Sequence, residues 1–178
     1  MNNVYVLDIN KTSINKNYLL DILPNNVLEE INKYKGNDYL QSLYAWGILY
    51  IKLKDDYNID LSKSEISKNA LGKPYIKGIE FNLTHSNNLV GVIISNDLCG
   101  IDIQIVRTVS DKFKEKYGDE AIKNFTIKEA RVKKYGLSVF DSLDKEDKCY
   151  THLLADSQGD NYYMSICCDD DYNIIRDI

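Results

Sequence analysis

The sequence predicts a mixed α+β (α/β) fold of two similar, pseudo-symmetric lobes, each a small antiparallel sheet packed with a long helix. Short runs of alternating apolar and polar residues, which are typical of strands, occur in each half of the chain. Each half also contains a longer segment in which apolar residues recur at helical spacing. Because the order of strand, helix and strand runs twice, we expect one lobe over residues 1–98 and a second over 99–178.

The predicted elements begin with a strand at residues 3–9, NVYVLDI. After Pro24 the apolar residues recur at helical spacing, with a break near Gly36, which indicates one helix or two. The segment LSKSEISKNALGKPYI then begins with a turn of the helix-capping type and ends in an extended unit at Lys73 and Pro74.

Three strand candidates, IEFNLTHS, LVGVIIS and GIDIQIV, follow in close succession. The last two are joined by the turn-forming residues NDLC, so we expect them to pair as an antiparallel hairpin. Helical period returns in EKYGDEAIKNFTIKEARVKKYG, where Gly136 is a natural C-terminal stop. The tail contains one further strand candidate, NYYMSICC.

Composition and charge limit the classes of function. Of the 178 residues, 44% are apolar and 28% are charged, as in ordinary globular proteins. The net charge of −5 leaves no excess of Lys and Arg to neutralise phosphates, so we expect no nucleic-acid partner. The first residues lack a basic region followed by an apolar one, and no apolar run is long enough for a membrane span. We therefore expect a cytoplasmic protein without membrane contact.

The cysteines of the chain are Cys99, Cys149, Cys167 and Cys168. They show no Cys-x-x-Cys spacing, and two of them are adjacent in the sequence. This pattern favours reduced thiols over a zinc site or disulfides, in agreement with a cytoplasmic location.

The strand candidate GIDIQIV places two oxygen-bearing side chains side by side. Period-two alternation sends Asp102 and Gln104 to one face and the isoleucines to the other. Same-face neighbours on a strand are roughly 6–7 Å apart at their Cα atoms, which suits two ligands of a hard cation such as Mg²⁺. The alternative is an edge strand with a polar outer face, and both interpretations stay open.

The helical segment AIKNFTIKEARVKKYG carries a carboxylate on its apolar face. Glu129 follows Ile122 and Phe125 at three- and four-residue steps, and Lys133 lies one turn further along. Buried carboxylates are usually paired or bound to metal. Glu129 and Lys133 are therefore either an i,i+4 ion pair or a catalytic pair. The basic residues between Lys123 and Lys134 form either a solvated face or a binding surface.

Two further side chains have both a structural and a functional interpretation. His85 ends the alternating run FNLTH and precedes SNN, so it is either a core histidine or, with the nearby hydroxyls and amides, a phosphate contact. Lys73 in LGKPY is either part of a surface turn or a lysine held on a rigid loop to meet an anion.

Four motifs occur in a fixed order: GKP at residues 72–74, then FNLTHS, GIDIQ and FTIKEARVK. In this order they resemble the motifs of the 4′-phosphopantetheinyl transferases of the surfactin-synthetase-activating type. That family has Gly-Lys-Pro, Phe-Asn-Ile-Ser-His-Ser, Gly-Val/Ile-Asp-Ile-Glu and Trp-Ser/Thr-x-Lys-Glu-Ala/Ser-x-x-Lys. The upstream helix YKGNDYLQSLYAWGILY and the closing strand YYMSIC are also similar, so the resemblance covers about residues 25 to 168.

The resemblance implies two similar α/β lobes with the active site in the cleft between them. It implies transfer of phosphopantetheine from coenzyme A to a serine of an apo carrier protein, with release of adenosine 3′,5′-bisphosphate. By the resemblance, Asp102 and Glu129 hold Mg²⁺, and Gln104 does so weakly or through water. Glu129 also helps to deprotonate the serine, and Lys133 stabilises or protonates the departing phosphate oxygen. The residues implied to contact coenzyme A are Lys73, Pro74, Thr84, His85 and Lys128.

The expected partner is an acidic carrier protein, of acyl or peptidyl type. The basic segment from Lys123 to Lys134 is the expected docking edge, and this association should weaken as the salt concentration rises. The pseudo-symmetric fold favours a monomer.

The sequence departs from the family pattern at several positions. Gln104 replaces the second acid of the strand motif, which removes one negative charge from the metal site. Gln41 replaces a basic residue of the upstream helix, Phe125 replaces a tryptophan, and the segment between Gln104 and Glu129 is short. The alternative is therefore a degenerate family member that binds coenzyme A or a carrier protein with little or no turnover. An unrelated metal-dependent hydrolase is disfavoured, because the sequence has no His- or Cys-rich ligand set.

Overall fold

The computed structural model describes residues 2–138, 140–141 and 147–176, which form five helices and nine strands. The helices are α1 (Lys16–Ile22), α2 (Asn25–Ile31), α3 (Gly36–Tyr57), α4 (Asp111–Tyr117) and α5 (Ala121–Tyr135). The strands are β1 (Asn2–Asp8), β2 (Ile66–Lys68), β3 (Pro74–Ile76), β4 (Glu80–Ser86), β5 (Leu89–Ser95), β6 (Gly100–Ile105), β7 (Cys149–Ala155), β8 (Asn161–Cys167) and β9 (Tyr172–Arg176). The predicted mixed α+β class is confirmed. Among these helices, none has the length and apolar character needed to cross a membrane.

The strands form three small sheets. The first has the order β4-β5-β1-β9, in which β1 pairs antiparallel with β5 and parallel with β9. The second is the antiparallel hairpin β2-β3. The third has the order β6-β8-β7 and is antiparallel throughout. The first and third sheets carry the functional side chains described below.

Each of the two larger sheets is covered by a long helix. α3 packs on β4 and β5, and α5 packs on all three strands of the third sheet. One side of α3 is apolar and buried; its residues include Leu43, Ala45, Ile48, Leu49 and Leu53. α5 ends before Gly136, whose φ of 74° lies in the left-handed region that glycine adopts without strain, and this confirms the predicted stop.

Two clusters of buried apolar side chains hold these layers together. The first lies between the helices α1–α3 and one face of the first sheet, and includes Tyr5, Leu49 and Phe81. The second lies between the first and third sheets, where Val6 of β1 and Ile103 of β6 both contribute. Alternation along β1 explains the division, because neighbours such as Tyr5 and Val6 point to opposite faces. The layers therefore follow the order helix, sheet, sheet, helix.

The first and third sheets meet where β4 runs beside β6. Three side chains of β4 accept hydrogen bonds from main-chain amides of β6, each at 3.0 Å. The pairs are Asn82 with Ile101, Thr84 with Ile103, and Ser86 with Ile105. These side chains satisfy amides on the edge of β6 that is not paired with β8, so the strand is fixed on both sides.

The structure corrects one expectation about strand pairing. β5 and β6 do not form the predicted hairpin, because β4 and β1 occupy both edges of β5 and β6 pairs with β8. β9, which the sequence did not predict, pairs with β1 in the first sheet. Residues 1, 139, 142–146 and 177–178 of the two expected lobes lie outside the described residues.

The expectation of four reduced thiols is also wrong. Cys149 of β7 and Cys167 of β8 are register partners in the third sheet and form a disulfide. Cys99 and Cys168 are buried free thiols. The pairing was not visible in the sequence because it depends on the register of two strands, one of which, β7, was not predicted.

Candidate functional site

A cleft of about 380 Å³ lies where α3, β4, β6 and α5 meet. It is located at the junction of the first and third sheets, so both long helices border it. The side chains that line it are Tyr34, Ser42, Ala45, Trp46, Leu83, Thr84, His85, Asp102, Gln104, Phe125, Glu129 and Lys133. Three of the motifs singled out in the sequence, FNLTHS, GIDIQ and FTIKEARVK, therefore contribute to one cavity.

Asp102 is a deeply buried carboxylate at the base of the cleft, with 1% of the residue exposed. Its Oδ1 accepts a hydrogen bond from the Thr84 hydroxyl at 3.3 Å and contacts the Lys133 ammonium at 2.5 Å. Its Oδ2 accepts a hydrogen bond from the Gln104 side-chain nitrogen at 3.0 Å. The polar outer face that the sequence left open is excluded, because the Asp102 side chain is buried and bonded to protein groups.

Local sequence explains why β6 presents Asp102 at this point. Ile101 and Ile103 are fully buried in the core between the two sheets, and this fixes Asp102 on the opposite face. At the start of the strand, Gly100 lies against α5; a Cβ there would overlap the carbonyl oxygen of Ala130. Glycine therefore allows the helix to approach β6 closely enough for its side chains to reach the strand.

Lys133 and Glu129 project from the same side of α5 but are not paired with each other. The Lys133 ammonium is paired with Asp102, and no ion pair to Glu129 is found within the described part of the chain. Burial raises the pKa of the Glu129 carboxyl above its ordinary value; Lys133 opposes this shift and Asp102 adds to it. The i,i+4 ion pair between the described residues Glu129 and Lys133 is therefore absent, and Asp102, Glu129 and Lys133 form one group of interacting charges. Within this group the Glu129 carboxyl keeps its proton to a higher pH than usual.

His85 lies on β4 at the edge of the same cleft. Burial lowers the pKa of its imidazole, and the nearby Lys133 ammonium lowers it further, against the carboxylates of Asp38 and Asp102. A neutral imidazole beside a lysine can exchange hydrogen bonds with a phosphate group without adding charge. The functional interpretation of His85 is consistent with this placement, whereas a closed core position is not.

Sequence reasoning missed the wall of the cleft that α3 supplies. Ser42, Ala45 and Trp46 recur at helical spacing and face the cavity together with Tyr34. The signal in the sequence was the single tryptophan, Trp46, which lies one helical turn after Ser42. In the structure Ser42 is buried, with 6% of the residue exposed. An aromatic wall of this kind is typical of small-molecule sites.

Three residues that the resemblance assigned to coenzyme A do not line this cleft. The ammonium of Lys73 is buried and donates to Glu80 and to two main-chain carbonyls, so all three of its donors are used within the protein. Pro74 lines a neighbouring cavity of about 340 Å³, which shares Tyr34 and Trp46 with the cleft. Lys128 lines a separate cavity beside α4.

The donor chemistry of the cleft fits a hard divalent cation. Asp102 and Glu129 supply carboxylate oxygens, and Gln104 supplies an amide oxygen, the ligand types that Mg²⁺ accepts together with water. The carboxylate of Asp102 helps to raise the pKa of Glu129, and a cation between the two would relieve that repulsion. Clusters of three or more His, Cys, Asp or Glu arranged for a metal are not found among the described residues.

Comparison with known proteins adds no family assignment. No family model matches this sequence, and no curated protein matches it significantly.

Proposed function

We propose that this protein is a Mg²⁺-dependent 4′-phosphopantetheinyl transferase that moves phosphopantetheine from coenzyme A to a serine of an apo carrier protein. The observation that carries the proposal is the convergence of Thr84, His85, Asp102, Glu129 and Lys133 in one cleft. These residues come from three motifs on two sheets and one helix, and their chemistry matches the roles that the sequence resemblance gives them.

The roles follow from charge and position. Asp102 and Glu129 would hold Mg²⁺, with Gln104 as a weak or water-mediated ligand, and the bound ion would neutralise charge on the pyrophosphate. Glu129 takes the proton from the serine hydroxyl, whose oxygen forms a bond to the phosphorus that carries pantetheine. The bond from that phosphorus to the bridging oxygen breaks, and Lys133 stabilises or protonates this oxygen as adenosine 3′,5′-bisphosphate leaves.

The neighbouring cavity would take the nucleotide end of coenzyme A. It shares Tyr34 and Trp46 with the cleft as lining residues, and Val27, Ile66 and Pro74 supply apolar walls. Flat rings bind well against such surfaces because they bury apolar area at little entropic cost. Pro74 is retained in the site on this basis, whereas Lys73 and Lys128 are not.

The proposed transferase has two related lobes and acts as a monomer. Its support is that α3 covers the first sheet and α5 covers the third, with the cleft at their junction. The carrier would dock on the half-buried basic residues of α5, Lys123, Lys128 and Arg131. Lys134 does not belong to this group, because it is buried and paired with Asp147 and Asp169. A Michaelis constant for the carrier that does not change with salt would contradict this docking edge.

The direct test is to incubate the protein with apo carrier proteins of fatty-acid, polyketide and peptide pathways, coenzyme A and Mg²⁺, and to weigh the carriers. We expect a mass gain of one phosphopantetheine on at least one carrier, and loss of that gain in Asp102→Asn. A transferase of known activity is the parallel control. If it modifies the carriers and this protein modifies none, the proposal is wrong.

A degenerate relative that binds coenzyme A or a carrier without turnover is the second candidate. The observation that favours it is that both oxygens of Asp102 already accept protein donors, and that one donor is Gln104, where the family has an acid. Calorimetry separates the two candidates. Tight coenzyme A binding that is independent of Mg²⁺, without transfer to any carrier, would favour the degenerate relative.

A further inference from the structure

Lys73 is a buried cation that joins three elements of the fold. The residue is 6% exposed, and its ammonium has three acceptors. These are Oε2 of Glu80 at 3.1 Å, the carbonyl oxygen of Cys99 at 3.0 Å and the carbonyl oxygen of Lys134 at 3.1 Å. A lysine ammonium has three donors, and all of them are used. Lys73 therefore stands between β4, the residue before β6 and the last turn of α5.

The contact with α5 gives a hydrogen-bond partner to a carbonyl at the C-terminal end of that helix. The last carbonyls of a helix have no partner within it, and the helix dipole is negative there. Here the Gly136 amide bonds to the carbonyls of Val132 and Lys133, and Lys73 bonds to that of Lys134. The cation thus caps one further carbonyl at the end of α5 and complements the helix dipole. The main chain of Lys73 is itself held by Asn69, through bonds at both its amide and its carbonyl.

The contact with Cys99 fixes the other side of the same junction. Cys99 precedes Gly100, where the backbone of α5 lies so close to β6 that a Cβ would overlap it. Asp102 follows two residues later on the strand, and Lys133 precedes Lys134 on the helix. Lys73 therefore clamps the crossing of α5 and β6 directly beside the pair formed by Lys133 and Asp102.

We propose that Lys73 is a positioning residue for the reaction, which sets the distance between Lys133 and Asp102 through the ends of α5 and β6. Its effect on catalysis rests on the proposed transferase function; its role as a clamp does not. The family resemblance gives this lysine a phosphate contact, and the geometry gives it an internal one. The two assignments predict different kinetics, because a positioning residue affects the transition state and a phosphate contact affects coenzyme A binding.

The test compares Lys73→Met with Glu80→Gln, a milder change that keeps the lysine and weakens one of its contacts. Misplacing catalytic groups by about 1 Å costs on the order of 100-fold in rate, so we expect kcat of Lys73→Met to fall by about that factor. The Michaelis constant and the dissociation constant for coenzyme A should stay within about twofold of wild type. Glu80→Gln should change kcat in the same direction by less. Lys63→Met, at a side chain 82% exposed, is the matched control and should match wild type.

Amide hydrogen exchange provides a readout that needs no activity. We expect faster exchange in Lys73→Met over residues 98–104 and 130–138, with the first sheet unchanged, and the same pattern more weakly in Glu80→Gln. Coenzyme A binding that weakens tenfold or more with kcat retained would overturn the positioning role, as would unchanged exchange in both segments. If the wild type transfers nothing, the proposed function fails, and the exchange pattern alone decides whether Lys73 is the clamp.

Discussion

The Lys133 ammonium nitrogen lies 2.5 Å from Oδ1 of Asp102, although one residue is on α5 and the other is on β6. The carboxylate is 1% exposed, and this lysine is its ion-pair partner within the described part of the chain. In the proposed reaction Asp102 would help to hold Mg²⁺, which would neutralise charge on the pyrophosphate, and Lys133 would contact a phosphate oxygen. Lys133 must therefore exchange its contact with Asp102 for a phosphate oxygen when coenzyme A and the metal bind.

Replacing Lys133 by Met should have opposite effects on catalysis and on metal affinity. Loss of charge stabilisation at the leaving oxygen should lower kcat by about 10²–10³-fold. Mg²⁺ alone should bind at least about fivefold more tightly, because a competing charge contact worth at least about 1 kcal/mol is removed from Asp102. Calorimetry without coenzyme A measures this second effect, with Lys63→Met as the control. Weaker Mg²⁺ binding in Lys133→Met would contradict the exchange of partners.

Replacing Glu129 by Gln should change the dependence of stability on pH. The folded protein holds the Glu129 proton more tightly than the unfolded chain does, because burial raises this pKa above its ordinary value of 4.5. Wild-type stability from this group is therefore present below 4.5 and is lost as the pH rises through the folded pKa. We expect Glu129→Gln to be more stable than wild type at pH 7 and similar at pH 4. Urea unfolding at both values measures the difference, and a variant that is less stable at pH 7 would disprove it.

Replacing Gln104 by Glu should make the protein more dependent on Mg²⁺. The change removes the donor to Oδ2 of Asp102 and adds a second negative charge beside it, at a cost of about 1–3 kcal/mol without metal. Added Mg²⁺ should recover that stability and bind more tightly than in wild type. Melting temperatures with and without MgCl₂ measure the effect. Gln158→Glu, at an exposed position, is the matched control, and an equal response of both variants to Mg²⁺ would refute the predicted metal contact.

Replacing Thr84 by Val should weaken the junction between β4 and β6. The hydroxyl accepts from the Ile103 amide and donates to Asp102, so its loss leaves two buried polar groups without this partner. We expect the free energy of unfolding to fall by about 1–3 kcal/mol. Thr84→Ser keeps the hydroxyl and loses one methyl group, which costs about 1 kcal/mol or less. Urea unfolding of both variants tests this; a serine variant as unstable as the valine variant would show that the hydroxyl is not the cause.

The elements that the sequence predicted well are those whose own residues determine them. The isoleucines of β6 alternate with Asp102 and Gln104, and the structure keeps that division between core and cleft. Gly136 ends α5 as expected. The predictions that failed concern contacts between separate elements. β5 and β6 do not pair as a hairpin, and Cys149 and Cys167 form a disulfide where reduced thiols were expected. Several short elements, including α1, β7 and β9, were not predicted because their apolar patterns are brief.

By itself the sequence determined which side chains share a face, because the periods of helices and strands fix direction relative to the backbone. It therefore placed Glu129 beside Lys133 and Asp102 beside Gln104. Only the tertiary structure decided which faces meet. It paired Lys133 with Asp102 instead of Glu129, and it turned Lys73 inward to the end of α5. The physical reason is that a partner across elements depends on register and on how closely two backbones approach, which no local pattern of residues encodes.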